Sequence, residues 1–278
     1  MCRWAAYLGE PVFLEDIVTA PRHSLIAQSH HALEAKTPTN GDGFGIAWYG
    51  ELPEPGLYRD VLPAWSDCNL KSLCRQIRSG LFLAHVRAAT GGSTSRDNCH
   101  PFVSGRWSFM HNGQIGGFEL LRRALERSLP DALYAERRGA TDSELLFLMM
   151  LAAGLDDDPQ GAAERAAGQV IEASLRAGIE PALKLTAAFC DGESSGGRPT
   201  GSALAPLASG RWRTSASHPG VPSSSRARPS APMTTVRPGP PTAFASVTPK
   251  ASQASRGSAS PPPTGVTTSA SYRATRAW

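Results

Sequence analysis

Large apolar side chains thin out abruptly after Asp191, and that break decides where a hydrophobic core can form. Across residues 192–278 only 11 of 87 positions are Leu, Ile, Val, Met, Phe, Trp or Tyr, while 17 are Ser and 13 are Pro. Such a stretch buries too little surface to offset a backbone ordering entropy of about 1–2 kcal/mol per residue. The folding unit is therefore expected within residues 1–191, and the basic Pro/Ser/Ala/Arg-rich segment 192–278 is expected to be a disordered tail. Charge divides at the same point: 18 Lys+Arg meet 23 Asp+Glu before it, and 10 meet 1 after it.

Several function classes fall away on composition. The longest apolar run, 145–154, is short of the roughly 18 residues that a membrane helix needs and runs into Asp156-Asp157-Asp158. Glu10, Glu15 and Asp16 interrupt the N-terminal region before a secretory apolar stretch could form, so the expected location is cytoplasmic, with no membrane partner. The cysteines Cys2, Cys68, Cys74, Cys99 and Cys190 are odd in number and make no Cys-x-x-Cys, which points away from disulfide scaffolds and structural zinc. No metal and no cofactor are expected. The tail arginines are scattered without RGG or SR repeats, which argues against nucleic acid as a partner.

Within 1–191, three short apolar runs enter or leave glycine-rich polar segments: Asn40-Gly41-Asp42-Gly43-Phe44-Gly45 before 46–49, Leu81 through Ala88 before Thr90-Gly91-Gly92, and Trp107-Ser108-Phe109-Met110 before His111-Asn112-Gly113. The period of two along the second run puts His85 and Arg87 on one face. Apolar spacing predicts helices over 24–35, around Phe118, Leu121 and Leu125, and over 164–177 with a stop at Gly178. Thr141-Asp142-Ser143-Glu144 has the spacing of a capping box. A strand over 183–189 runs into Asp191-Gly192, a hairpin signal with no apolar second strand after it.

Cys2 is the cysteine with a special chemical position. Removal of Met1, which the small Cys2 side chain permits, would leave an α-amine of reference pKa about 7.7–8.0 on the same residue as a thiol of about 8.5. One residue then supplies nucleophile and general base. An acyl-transfer nucleophile also needs fixed N–H donors where the carbonyl oxygen becomes negative. The Asn112 amide and the Gly113 N–H could supply them, although Asn-Gly is equally an ordinary hairpin turn. Arg87 suits a substrate carboxylate through bidentate geometry. Asp142 suits an ammonium, or simply complements a helix N-terminus.

Met1-Cys2-Arg3, the Asn40–Gly45 segment, His85-Val86-Arg87-Ala88-Ala89-Thr90, Asn98-Cys99-His100-Pro101-Phe102, His111-Asn112-Gly113 and Thr141-Asp142-Ser143-Glu144 together resemble the class II glutamine amidotransferases, which are N-terminal-nucleophile hydrolases. The resemblance covers about residues 2–191. It implies an α+β fold, a four-layer αββα sandwich with two mostly antiparallel sheets. It implies cleavage of the side-chain amide of glutamine or a γ-glutamyl compound through a γ-glutamyl thioester on Cys2, with the freed amine as base. Asn112 and Gly113 would then form the oxyanion hole, Arg87 would hold the α-carboxylate and Asp142 the α-ammonium, and Thr90 would line the pocket. Asn40, Asp42, His85 and His100 would support the site. The chain resembles stand-alone members, so an acceptor or synthase would be a separate subunit. Its Arg87-Ala88-Ala89-Thr90-Gly91 departs from the Arg-Trp-Ala-Thr-His of several synthase-fused members.

Stand-alone relatives continue with further apolar strands where this chain turns basic and Pro-rich. The C-terminal strands are thus expected to be missing, and the composition resembles GC-rich coding sequence read out of frame, with a frameshift between about 191 and 197. Two other outcomes follow from the same observation: an inactive truncated relic, or a binding protein acting through the basic tail.

Overall fold

Alternation along three strands sets the architecture. In β1 (Arg3–Phe13), Ala5 and Tyr7 pack into one buried cluster while Trp4 and Ala6 pack into another. In β4 (Arg78–Val86) the same split puts Phe82, Ala84 and Val86 on one side and Leu81 and Leu83 on the other. In β8 (Leu183–Cys190), Leu183, Leu185, Ala187 and Phe189 enter a third cluster, and Ala188 and Cys190 join the second. Two sheets with both faces covered follow from such patterns.

The computed structural model describes residues 2–30, 39–88, 94–192 and the backbone of strand segments at 194–195, 198–199, 205–212 and 267–268. The remaining strands in chain order are β2 (Phe44–Trp48), β3 (Gly56–Asp60), β5 (Phe102–Ser104), β6 (Trp107–His111), β7 (Gln114–Ile115), β9 (Ser194–Ser195), β10 (Arg198–Pro199), β11 (Ala205–Trp212) and β12 (Thr267–Thr268). The helices are α1 (Glu15–Val18), α2 (Leu25–His30), α3 (Cys68–Gln76), α4 (Phe118–Glu126), α5 (Asp131–Glu136), α6 (Asp142–Ala152) and α7 (Pro159–Arg176). One sheet runs β12-β1-β4-β2-β3 and the other β11-β8-β6-β5, with β7 also against β8. Every strand pairing is antiparallel.

Three cores separate four layers. Leu14, Ile17, Leu25, Leu70 and Cys74 seal α1, α2 and α3 onto the first sheet. Trp4, Leu83, Met110 and Ala188 fill the space between the sheets. Leu121, Leu125, Phe147 and Val170 seal α4, α6 and α7 onto the second, where Phe109 and Phe147 stack with ring centroids 5.3 Å apart. The αββα sandwich expected from the sequence is the fold observed.

Local chemistry explains the helix ends. Thr141 caps α6 by accepting the Glu144 N–H at 3.2 Å. The reciprocal half of the capping box is absent, because the Glu144 carboxylate reaches beyond Thr141 to accept the N–H groups of Arg138 and Gly139 at 3.0 and 2.8 Å. Helix α7 begins at Pro159, five residues before the expected start, because Asp158 accepts the Gly161 N–H and proline suits the first turn. It ends at Arg176, with Ala177 as its C-cap before Gly178, whose φ is 65°. Helix α2 is the described part of the predicted 24–35 helix, capped by Ser24 through the Ala27 N–H at 3.1 Å; residues 31–35 of that prediction lie outside the described residues.

The expectation of a missing second strand is corrected. Strand β11 pairs with β8 over Ala205↔Phe189 to Trp212↔Leu183. Composition spoke to side-chain burial, whereas an open strand edge recruits partners through main-chain N–H and C=O groups that every sequence carries. The connection spans residues 191–204, so Asp191-Gly192 is not a two-residue hairpin turn. Apart from these strand segments, the expected disordered tail lies outside the described residues.

Candidate active site

Strand alternation brings the candidate residues to one end of the space between the sheets. Cys2 precedes β1 and shares parity with Trp4 and Ala6, so it faces the second sheet. Arg3 pairs with Val86, and continuing that register sets Cys2 opposite Arg87. The Cys2 Sγ accepts the Ala88 N–H at 3.4 Å and lies 3.6 Å from the Ala88 carbonyl. Burial pushes its thiol up, partly offset by the Ala88 amide and the positive charge of Arg87. A thiol held protonated needs a base before it can attack.

Asn112 arrives from the other sheet. Its side-chain amide donates to the Cys2 backbone carbonyl at 3.1 Å. The sequence left open an ordinary Asn-Gly turn here, and the pairing rules that out. His111 pairs with Ala187 and Gln114 with Lys184, so β6 and β7 run along β8 in one register, with a bend at Gly113 between them and no reversal of the chain. The Asn112 N–H donates to the Thr186 carbonyl at 2.7 Å, and the Gly116 N–H donates to the Ala182 carbonyl at 2.9 Å. In an antiparallel ladder the intervening residues turn their N–H groups to the opposite edge. On that edge the Ile115 N–H donates to Asp142 Oδ2 at 2.8 Å. The Gly113 N–H has no backbone acceptor among the described residues. Any side chain at 113 would overlap the Lys184 carbonyl and His111 Nε2, so this bend against β8 requires glycine.

Arg87 is buried beyond the end of β4, fixed by its own N–H to the Gly43 carbonyl at 2.8 Å and by a guanidinium N–H to the Asp42 carbonyl at 3.3 Å. The Asp42 N–H returns to the Arg87 carbonyl at 3.2 Å. The glycine-rich segment before β2 thus clamps the arginine. Asn40 is fully buried, its N–H on the Ser29 carbonyl at 2.8 Å, and its side-chain amide has no partner among the described residues. His85 faces the same inter-sheet space and lies against His100 with ring centroids 4.4 Å apart. Neither ring finds a hydrogen-bond partner among the described residues. Burial, then the Arg87 charge and His111, lowers His85 to about 3, and burial with the neighbouring rings holds His100 well below the usual histidine range. Both are neutral, so neither adds a positive charge beside Arg87. Thr90 lies outside the described residues.

His111 carried no assigned role in the sequence analysis, nor did Ser143. His111 alternates with Asn112 and so points to the helical side, where its Nδ1 lies 2.9 Å from the Ser143 hydroxyl and its Nε2 3.1 Å from the Lys184 carbonyl. Ser143 Oγ lies 3.3 Å from Asp142 Oδ1. Their adjacency in the two motifs was visible in the sequence, but the contact between the motifs was not. Among the described residues no group of three His, Cys, Asp or Glu side chains converges as a metal site, and no helix is long and apolar enough to cross a membrane.

A partly buried cysteine, a side-chain amide donating beside it from the other sheet, and a clamped arginine on the neighbouring strand's extension form a site suited to acyl transfer on a substrate bearing a carboxylate. Known proteins resemble this chain in sequence and in fold. The family model for glutamine amidotransferases class-II matches residues 18–194. "Probable glutamine amidotransferase DUG3" of Saccharomyces cerevisiae is 41% identical over 160 residues, 54% of this chain and 45% of that protein. The gamma-glutamyl-hercynylcysteine sulfoxide hydrolase of Mycolicibacterium smegmatis is 33% identical over 138 residues, 49% of this chain and 61% of that protein. The chain thus spans about half the length of these relatives. The solved structure of a glutamine aminotransferase class-II domain protein from Silicibacter pomeroyi superposes with a TM-score of 0.54 at 45% identity, covering 69% of this chain and 74% of that one.

Proposed function

Because this chain belongs to the class II glutamine amidotransferases, we propose that it is an amidohydrolase that cleaves the side-chain amide of glutamine or a γ-glutamyl compound through a thioester on Cys2. The observation that carries this reading is the Asn112 side-chain amide donating at the Cys2 backbone.

In this mechanism removal of Met1 frees the Cys2 α-amine, which takes the thiol proton as the sulfur attacks the δ-carbonyl carbon. The carbonyl oxygen becomes negative and is held by Asn112 Nδ2 and the Gly113 N–H, fixed donors that need no reorganisation during the reaction. Collapse breaks the C–N bond, and the ammonium on Cys2 returns its proton to the leaving nitrogen. Water, deprotonated by the same amine, then hydrolyses the thioester to a γ-carboxylate and regenerates the thiol. Arg87 pairs with the substrate α-carboxylate, and Asp142 takes the α-ammonium. Asp42 holds Arg87 in place through its carbonyl, and Asn40, His85 and His100 build the wall behind it. Thr90 is the remaining substrate-binding residue that the family motif supplies. The acceptor of released ammonia, where one is used, would be a separate subunit, and the expected compartment is the cytoplasm.

The leaving group is read as ammonia or an amine, since both share the head that Arg87 and Asp142 would grip. Similarity to a γ-glutamyl hydrolase supports the amine. Intact mass before and after treatment with 6-diazo-5-oxo-L-norleucine, with peptide mapping, tests the site. The expected result is loss of Met1 and a single adduct on Cys2. Unmodified protein, or an adduct elsewhere, would overturn the reading and favour the relic.

A further inference from the structure

The contact between His111, Ser143 and Asp142 has an uneven proton inventory. The Lys184 carbonyl only accepts, so His111 Nε2 carries a hydrogen. In the neutral ring Nδ1 is then an acceptor, and the Ser143 hydroxyl is its donor at 2.9 Å. That hydroxyl has one proton and a second acceptor in reach, Asp142 Oδ1 at 3.3 Å. In the imidazolium both ring nitrogens donate, Nδ1–H points at Ser143 Oγ, and the hydroxyl proton turns to Asp142. The other carboxylate oxygen is engaged in either state, because Oδ2 accepts the Ile115 N–H at 2.8 Å. The Ser143 hydroxyl therefore withdraws from Oδ1 when His111 is neutral and occupies it when His111 is charged.

We propose that Ser143 and His111 are positioning residues that set whether Asp142 Oδ1 is open to a substrate ammonium, so that ammonium binding and His111 protonation oppose one another. This inference rests on the reading of Asp142 as the ammonium site. The groups facing His111 fit it. Asp142 and Ser143 approach from α6, the Lys184 carbonyl from β8, and the Phe109 ring from its own strand at 6.3 Å. His111 in turn acts electrostatically on His85 and His100, which face the inter-sheet side. Burial lowers His111, while the Asp142 carboxylate and the Lys184 carbonyl raise it. A second cation beside Asp142 removes part of what holds the proton on the ring, and that proton passes to solvent. By reciprocity, a charged ring weakens the ammonium.

The test is the affinity of the full chain for L-glutamate, which carries the substrate head without a scissile amide, measured calorimetrically from pH 8 to pH 5.5. The wild type is expected to weaken by about fivefold or more over that range, S143A to weaken by less than about twofold, and S143T, which keeps the hydroxyl, to restore the dependence. The Cys2 amine titrates in all three proteins, so their difference reports the relay. The His111 ring followed by ¹⁵N NMR in wild type is independent of any folding defect in S143A, and its pKa is expected to fall when L-glutamate saturates the site. A pH dependence equal in wild type and S143A, or a His111 pKa unmoved by L-glutamate, would overturn the relay. Loss of L-glutamate binding in D142N with a flat wild-type profile would overturn the relay while upholding the ammonium site. No binding to wild type at any pH would overturn the ammonium site and the relay together.

Discussion

The Asn112 side-chain amide donates to the backbone carbonyl of Cys2 at 3.1 Å, across 110 positions of sequence and from the opposite sheet. The nucleophile and its electrostatic partner are thus held by different layers, and their spacing depends on the packing between the sheets. Replacing Asn112 with Ala removes one of two fixed donors while leaving Cys2 and Arg87 in place. The expected result is a fall in kcat of about 10²–10³-fold with KM little changed. Steady-state kinetics with glutamine and with a γ-glutamyl amide measures it, and an equal rise in KM with unchanged kcat would assign Asn112 to ground-state binding instead.

Gly113 adjoins this donor, and its requirement is steric. A methyl group there would meet the Lys184 carbonyl and His111 Nε2, one of them main chain of the neighbouring strand. Neither φ nor hydrogen bonding demands glycine; the close approach of β8 does. G113A is expected to cost about 1–3 kcal/mol of stability through overpacking and to lose activity by displacing the N–H. Denaturant melts and initial rates on the same preparation separate the two effects, and an unchanged midpoint would show that the strand gives way.

Much of this was legible from the sequence because it is local. Thr141 capping α6, the alternation of His85 and Arg87, and the strand over 183–189 each follow from spacing within a few residues. What was not legible is the through-space part. Glu144 passes its expected capping partner for Arg138 and Gly139 because the chain folds back beside it, and no spacing rule records that return. Asn112-Gly113 has the signature of a hairpin turn, yet the strands on either side of it run on along β8 in one register. The pairing of β11 escaped for a different reason, since main-chain pairing leaves no mark on composition.

Arg87 offers a test of substrate charge. Its guanidinium is held by the Asp42 carbonyl at 3.3 Å, which aims a planar fork that lysine cannot reproduce. R87K keeps the charge and loses the bidentate geometry, so KM is expected to rise about 10- to 100-fold, the equivalent of about 1.5–3 kcal/mol for a charged hydrogen bond. A substrate analogue whose α-carboxylate is replaced by a carboxamide should discriminate little between wild type and R87K. If the mutation penalises both compounds equally, Arg87 supports the loop rather than the substrate.

The buried pair His85 and His100 predicts how stability depends on pH. Both rings are neutral in the folded protein, with His85 at about 3 through burial and His100 also well below the usual range. In the unfolded chain each takes a proton near pH 6.5. Between those values the unfolded state binds more protons, so their contribution is complete above about pH 6.5 and is lost as pH falls toward the folded pKa. The slope is about 1.4 kcal/mol per pH unit for each histidine. Urea melts from pH 7 to pH 4 should therefore show steep acid destabilisation, and H85Q, which removes one titrating ring, should flatten that slope by about one proton. An unchanged slope in H85Q would mean that His85 is already protonated in the fold, with a partner satisfying its ring.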